Sequence, residues 1–240
     1  MSDYLSLVTD FIMETSLSGG SPPDNVATAT GDQRKACYWI QQADLQIQRE
    51  WINWDFMWGR ATVSLSANSS IIPTVTESQN GSDVGIVNMV KRKSLAVMQA
   101  DGSPHFPAWN DWNNSEFSRL YTYQLQPDSD TASAWSMRPD RVILLSSPIE
   151  SAATAIYDYY RKSRRMFQNS DISLVPDDFT RLIVVLGKIM YAEHEDAPEV
   201  SAGAHEEYDT LISMMESVHL PDQGFNRESH SDDDLVVVSE

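Results

Sequence analysis

Apolar and polar positions recur with a helical period near the start of the chain. In SDYLSLVTDFIMETSL, residues 2–17, apolar side chains return every three or four positions on two neighbouring rows. The rows are Leu5, Val8 and Ile12, and Tyr4, Leu7 and Phe11. Ser2 and Asp3 can cap a helix, and the glycines and prolines of SGGSPPD, residues 18–24, prevent its continuation. The pattern predicts an amphipathic helix followed by a turn.

A second, longer helix is predicted to begin near Thr30 or Asp32. It runs through GDQRKACYWIQQADLQIQREWINW, residues 31–54, where Gln, Arg and Glu occupy one face. The apolar face steps by three or four positions through Ala36, Ile40, Ala43, Ile47, Trp51 and Trp54. This interpretation places Trp51 and Trp54 at the end of the buried face of the helix.

From about Arg60 to Tyr160 the pattern becomes that of strands. Short β-branched runs such as ATVSL, SIIPTV and RVILLSS are separated by Ser, Asn, Gly, Pro and Asp. In TAIYDYY, residues 154–160, inward and outward positions alternate with a period of two. We predict a mostly antiparallel, β-rich region over residues 60–165.

The helical period returns after residue 165. Pro176, followed by two aspartates, is typical of a helix start, and an apolar face then continues to about His194. A further helix is predicted over about 201–218, followed by a polar and acidic tail, residues 219–240, with an apolar end.

These elements predict an α+β fold. The helical core comes from both ends of the chain, with about four helices, and the antiparallel β-region is inserted between them. The predicted parts are an N-terminal helical pair, the β-rich insertion, C-terminal helices that complete the core, and the extended tail. Their bounds are 1–59, 60–165, 166–218 and 219–240.

Charge and composition narrow the function classes. The formal net charge of −18 and pI near 4.5 disfavour a protein that grips DNA, because phosphate binding relies on Lys and Arg. The acidity is concentrated after residue 180, where three Lys or Arg stand against fourteen Asp or Glu. The basic islands KRK, residues 91–93, and RKSRR, residues 161–165, fit solvated faces. The single cysteine, Cys37, falls among buried helical positions, and no apolar run approaches the length of a membrane span.

No catalytic motif emerges from the residues. His194-Glu195 begins like the zinc motif HExxH, but Pro198 stands where the second histidine is required. Nucleophile elbows and phosphate-binding glycine loops are also missing from the sequence, and Cys37 has no recognisable histidine context. We therefore expect a protein that is not an enzyme and has no cofactor and no metal.

The tryptophans of QREWINWDFMW, residues 48–58, are the most conspicuous feature. Trp51, Trp54, Phe56 and Trp58 suit a protein core or a subunit interface, because a buried Trp removes about 150–250 Å² from water. Stacking on nucleic acid is disfavoured because Asp55 and Asp111, rather than bases, stand between the aromatic residues, with Arg60 nearby in the sequence. Sugar stacking, with Trp109 and Trp112, stays open.

The order of landmarks resembles a known family, the head-to-tail connector adaptors of tailed bacteriophages. The residues that carry the resemblance are DYLSLVTDFIMETSLS, ACYWIQQADLQIQREWINWDFMW, YDYYRKSRRM, LVPDDFTRLIVVLGKIMYAEHED and EEYDTLISMME. They span residues 3–217. Met57 stands where leucine is commoner in the aromatic motif, and residues 61–137 and those beyond Val218 carry no landmark.

The resemblance implies a structural virion protein at the head-tail interface, or neck, assembled in the host cytoplasm. Such adaptors dock as a homo-oligomeric ring, usually of twelve copies, on the portal protein. They extend the DNA channel, through which packaged DNA passes without specific binding, and they provide the platform for a tail or nozzle protein, with no role for a membrane. The alternatives are another head-tail component, such as a stopper or tail protein, and a carbohydrate-binding module.

The end of the sequence gives a separate hypothesis. SDDDLVVVSE, residues 231–240, joins a charge run to a β-prone apolar strip. We expect it to dock as an added strand or an apolar plug on the portal or on a neighbouring adaptor, with its acids against a basic patch. The predicted partner-binding residues are Asp232, Asp233, Asp234, Leu235, Val236, Val237 and Val238. A solubilising tail is the alternative.

Overall fold

Both ends of the described chain contribute to one helical unit. The computed structural model describes residues 2–79, 82–112, 132–201 and 203–220. Its residues 2–57 and 163–220 form one compact unit, called here the helical unit. The described part of residues 58–162 forms a second, called here the β unit.

The described part of the helical unit contains four α-helices of at least three turns. They are α1 (Tyr4–Thr15), α2 (Gly31–Glu50), α3 (Thr180–Glu195) and α4 (Ala204–His219). Shorter turns of 3-10 helix lie at Leu17–Gly20, Val26–Thr28, Asp55–Met57 and Asp177–Phe179, and a one-turn α-helix at Pro198–Ser201.

Helix α1 begins and ends where its sequence favours it. The Asp3 carboxylate accepts a hydrogen bond from the Ser6 amide at 2.8 Å, which caps the first turn. Ser16 then adopts a left-handed conformation with φ 53°, which ends the helix. The rows predicted to face the core do so, since Tyr4, Leu7, Val8, Phe11 and Ile12 are buried and Leu5 is half-buried.

Helix α3 is the centre of the helical unit. Helices α1, α2 and α4 all pack against it, and the five consecutive residues Leu182 to Leu186 are buried. A helix that is apolar on all sides is typical of such a central position. A Cβ at Gly187 would lie 3.1 Å from Ile40 Cδ1 and 3.5 Å from Phe11 Cδ2. The glycine therefore permits α1 and α2 to approach α3 closely.

The described strands of the β unit are short except for the first and the last. They are β1 (Trp58–Leu65), β2 (Ile71–Ile72), β3 (Thr76–Gln79), β4 (Ser82–Gly85), β5 (Val87–Val90), β6 (Ala96–Met98), β7 (Pro104–His105), β8 (Ala108–Trp109), β9 (Ala134–Met137), β10 (Ile143–Leu145) and β11 (Ala153–Arg161).

Strand β11 organises the larger sheet. The order is β1-β11-β6-β7, and β5 also pairs with β11. A second sheet has the order β2-β10-β9-β8, and β3 with β4 forms a two-stranded ribbon. Every pairing between the described strands is antiparallel except that of β8 with β9.

The core of the β unit forms from alternate strand positions. Ala155, Tyr157 and Tyr159 of β11 point inward, as the period of two predicts, and pack with Trp135 and Ile143. The predicted fold class is confirmed: helices from both parts of the chain and a mostly antiparallel β-region between them give an α+β protein. No helix among the described residues is both long enough and apolar enough to cross a membrane.

Candidate functional site

Trp54 is a core residue, but it does not lie on α2 as predicted. The helix ends at Glu50, and Trp51 is already extended, with φ −130° and ψ 131°. After a turn at residues 52–53, the fully buried Trp54 indole donates a hydrogen bond from Nε1 to the Ile47 carbonyl oxygen at 2.9 Å. That carbonyl is one of the last four of the helix, which have no partner within it. Trp54 thus caps the helix from outside.

Trp51 lies at the surface, which corrects its predicted place at the end of the buried helical face. Its side chain is 40% exposed, and its indole Nε1 donates to Glu216 Oε1 on α4 at 2.8 Å. The neighbouring Ile52 is 59% exposed. Because α2 ends one residue earlier, the spacing of three between Trp51 and Trp54 no longer puts both on one face.

Phe56 joins a row of rings within the helical unit. It is half-buried and stacks on Trp54, with ring centroids 5.3 Å apart and an interplanar angle of 23°. On its other side it meets the His219 ring edge-on at 5.7 Å, and His219 meets Phe179 in the same way at 5.6 Å. The row therefore connects the end of α2, the start of α3 and the end of α4.

Trp58 begins β1 in the β unit and is 42% exposed. The guanidinium of Arg60 lies 5.7 Å from its ring centroid, and Lys91 Nζ lies 6.0 Å from it. Lys91 Nζ also lies 5.0 Å from the ring of Tyr160, the residue opposite Trp58 in the β1–β11 register. These distances fit cation–π contacts.

The outward face of the larger sheet therefore carries a cation–aromatic patch. We define it as Trp58, Arg60, Met89, Lys91 and Tyr160. Met89 is exposed and stands opposite Tyr160 in the β5–β11 register. Arg60 donates two hydrogen bonds to the Asp158 carboxylate, at 2.7 and 3.2 Å, which fix its guanidinium.

The patch corrects the expectation that few bases lie beside the tryptophans. Strand pairing brings Lys91, from the island predicted to be a solvated face, against Trp58 and Tyr160, where it is half-buried. In the same way, the Arg92 guanidinium lies 5.5 Å from the centroid of the Trp109 ring. The sequence held no signal for either pairing, because the partners are far apart in the chain and meet only through the pairing of strands.

Asp44 is a buried acid that the sequence pattern did not single out. It lies on α2 and accepts hydrogen bonds from Ser173 Oγ at 2.5 Å and Gln48 Nε2 at 2.7 Å. Burial raises its pKa to about 6, although these hydrogen bonds and the charge of Arg164 oppose the rise. Gln48 also accepts from the Arg164 amide at 2.8 Å. The network ties the segment after β11 to α2.

The histidine considered for metal binding has other partners. His194 Nδ1 lies 3.2 Å from Glu195 Oε1, and its ring lies 5.3 Å from that of Trp39. Among the residues that the structure describes, no group of three or more His, Cys, Asp or Glu is placed to hold a metal ion.

The predicted partner-binding residues 232–238 lie outside the described residues, so their placement stays a prediction. Comparison with models of known protein families gave no match. Comparison with curated proteins gave no match either.

Proposed function

We propose that this chain is a head-to-tail connector adaptor, a structural virion protein that docks as a ring on the portal. In this role it extends the DNA channel and offers the attachment surface for a tail or nozzle protein. It carries out no catalysis and holds no cofactor. The proposal originates in the order of sequence landmarks over residues 3–217.

The observation that carries the proposal is the exposure of large apolar side chains on the helical unit. Trp51 and Ile52 follow α2 and are 40% and 59% exposed, while Met214 and Val218 on α4 are 54% and 61% exposed. Met214 and Val218 are one turn apart and so lie on one side of α4. Side chains of this size, exposed both after α2 and on one side of α4, are the kind of surface that subunit contacts cover.

The distribution of charge supports the same role. Residues 58–162 contain nine Lys or Arg and ten Asp or Glu, whereas the rest of the chain contains eight and twenty-five. Nearly all of the net charge of −18 therefore lies outside the β unit. A strongly acidic surface repels phosphate, which suits the wall of a channel through which DNA slides.

The test is assembly with the portal. We expect negative-stain images of the purified chain mixed with its portal to show a symmetric ring added to one end of the portal. A chain that stays monomeric, leaves the portal unchanged and shows tryptophan fluorescence quenching with a glycan would favour the carbohydrate-binding alternative.

A matched pair of variants tests the surface itself. Ile52→Asp places a charge on the proposed interface, and Gln46→Asp adds the same charge to an exposed polar position on α2. Both should fold, because both sites are exposed. We expect Ile52→Asp to lose rings and Gln46→Asp to retain them; equal ring yields from the two variants would exclude this surface.

A further inference from the structure

Strand β1 forms an edge of the larger sheet. It pairs along all eight residues with β11, and with no other strand among the described residues. A long, straight edge strand presents unpaired backbone groups and is a template for another strand. Natural proteins usually cover such an edge.

The backbone groups of Asp158, which stands opposite Arg60, show which β1 backbone groups point away from β11. The Asp158 carbonyl oxygen accepts from the Lys91 amide at 2.9 Å, and its amide donates to Ser94 Oγ at 3.0 Å. Both groups therefore point away from β1. Since antiparallel pairs alternate between hydrogen-bonded and non-hydrogen-bonded positions, the backbone groups of Arg60, Thr62 and Ser64 point away from β11.

The side chains of these residues are also accessible. Trp58, Arg60, Thr62 and Ser64 are all exposed, and they alternate with inward positions that include the buried Ala61 and Leu65. One end of the edge, at Trp58 and Arg60, belongs to the cation–aromatic patch. The other end, at Thr62 and Ser64, is neutral. A fitting segment therefore has acids at one end and uncharged, β-prone residues at the other.

This chain contains such a segment outside the described residues. In SDDDLVVVSE, residues 231–240, three aspartates precede Leu235, Val236, Val237 and Val238. Valine and leucine suit a paired strand, and the aspartates complement Arg60 and Lys91. Four residues at about 3.3 Å each span about 13 Å, which fits within the length of β1.

We propose that residues 232–238 of one copy add as a strand to β1 of a neighbouring copy. The aspartates lie against the cation–aromatic patch, and Leu235 to Val238 pair along β1 toward Ser64. This charge arrangement requires the added strand to run parallel to β1, with Asp234 beside Arg60, Val236 beside Thr62 and Val238 beside Ser64.

The inference rests on the proposed ring, whose partner surface it names. A closed ring needs a head-to-tail interface made from two different and complementary surfaces on each subunit. The acidic-apolar segment and the β1 edge form such a pair. In this proposal, residues 232–238 bind mainly to a neighbouring copy and not to the portal.

Cysteine crosslinking of the full chain tests the pairing. In a Cys37→Ala background, Thr62→Cys with Val236→Cys should form a ladder of covalent oligomers under mild oxidation. Ser151→Cys with Val236→Cys is the control, because Ser151 is exposed but lies outside β1. A crosslink within one chain, a ladder equal to that of the control, or a crosslink to the portal instead would each overturn the proposal.

A charge exchange tests the role of the patch. Arg60→Glu with Lys91→Glu should lower the yield of the Thr62–Val236 crosslink by roughly tenfold, because the patch, together with the adjoining Asp158, changes from net positive to net negative and repels the aspartates. Changing residues 232–234 to lysine in that variant should restore the yield. If the two glutamates lower the crosslink yield but the added lysines do not restore it, the aspartates do not contact this patch.

The two proposals can fail separately. Rings on the portal without the interchain crosslink would retain the adaptor role and remove the strand exchange. Crosslinked oligomers that do not bind the portal would retain the strand exchange and contradict the adaptor role.

Discussion

The Trp54 indole and the Ile47 carbonyl are joined by a 2.9 Å hydrogen bond across the end of α2. Through it, a residue beyond the helix satisfies a backbone acceptor that the helix leaves without a partner. Trp54 is fully buried, while Trp58, a few residues later, is exposed at the surface of the β unit. Neighbouring tryptophans of one motif thus have different roles.

Trp54 and Trp58 should therefore differ strongly in their contribution to stability. Trp54→Ala removes a fully buried ring and should lower the free energy of unfolding by about 3–5 kcal/mol. Trp58→Ala removes an exposed ring with cation–π contacts and should cost about 1 kcal/mol or less. Urea unfolding followed by circular dichroism measures both. Equal losses would show that burial does not separate these side chains.

Asp44 should make stability depend on pH. Its pKa is raised from 3.8 to about 6, so between these values the folded chain retains a proton that the unfolded chain has released. This contribution favours folding below about pH 4 and is lost as the pH rises through about 6. Asp44→Asn removes the titration, so its stability relative to the original chain should rise from pH 4 to pH 7 by about 3 kcal/mol.

Asp101→Asn is the control for the sign of that effect. Hydrogen bonds from Ser103 lower the pKa of Asp101, so this carboxylate adds stability that is lost as the pH falls. The stability of Asp101→Asn relative to the original chain should therefore decrease as the pH rises to about 4 and stay nearly constant above that. Urea midpoints measured from pH 2 to pH 7 compare the variants, because the Asp101 change falls below about pH 4 and the Asp44 change above it. A pH-independent difference for Asp44→Asn would contradict the assigned pKa.

Gly59 is required beneath the Tyr159 ring. An added Cβ at Gly59 would lie 2.8 Å from Cζ of Tyr159, whose ring is buried and would have to shift. Gly59→Ala should destabilise the β unit by about 1–3 kcal/mol. Gly85→Ala, whose added Cβ meets no atom within 4 Å, should change stability by less than about 1 kcal/mol. Thermal unfolding of the two variants gives the comparison; matching melting temperatures would contradict the steric account.

The sequence predicted the elements that have a clear period. The stripe of α1, the body of α2 and the alternation in β11 follow from the spacing of their apolar residues, and so does the α+β class. The predicted end of α2 was wrong, because neither glycine nor proline marks the true end at Glu50 in the sequence. That end depends on Trp54 returning to Ile47, which is a contact between side chain and backbone rather than a pattern.

The cation–aromatic patch could not be predicted for a different reason. Lys91 reaches Trp58 because β5 and β1 both flank β11, and only the pairing of strands supplies that arrangement. The burial of Asp44 could not be predicted either. An acid on a helix is expected to be exposed, and only the folded chain places the segment around Ser173 over it. Both features depend on contacts between distant parts of the chain, which form only when it folds.

The most direct test of the adaptor proposal is the mass of the complex with the portal. Native mass spectrometry should show the portal together with a ring of this 27.0 kDa chain, twelve copies by the resemblance, and no stable partial rings. A portal of unchanged mass beside a free 27.0 kDa monomer would contradict the proposed function.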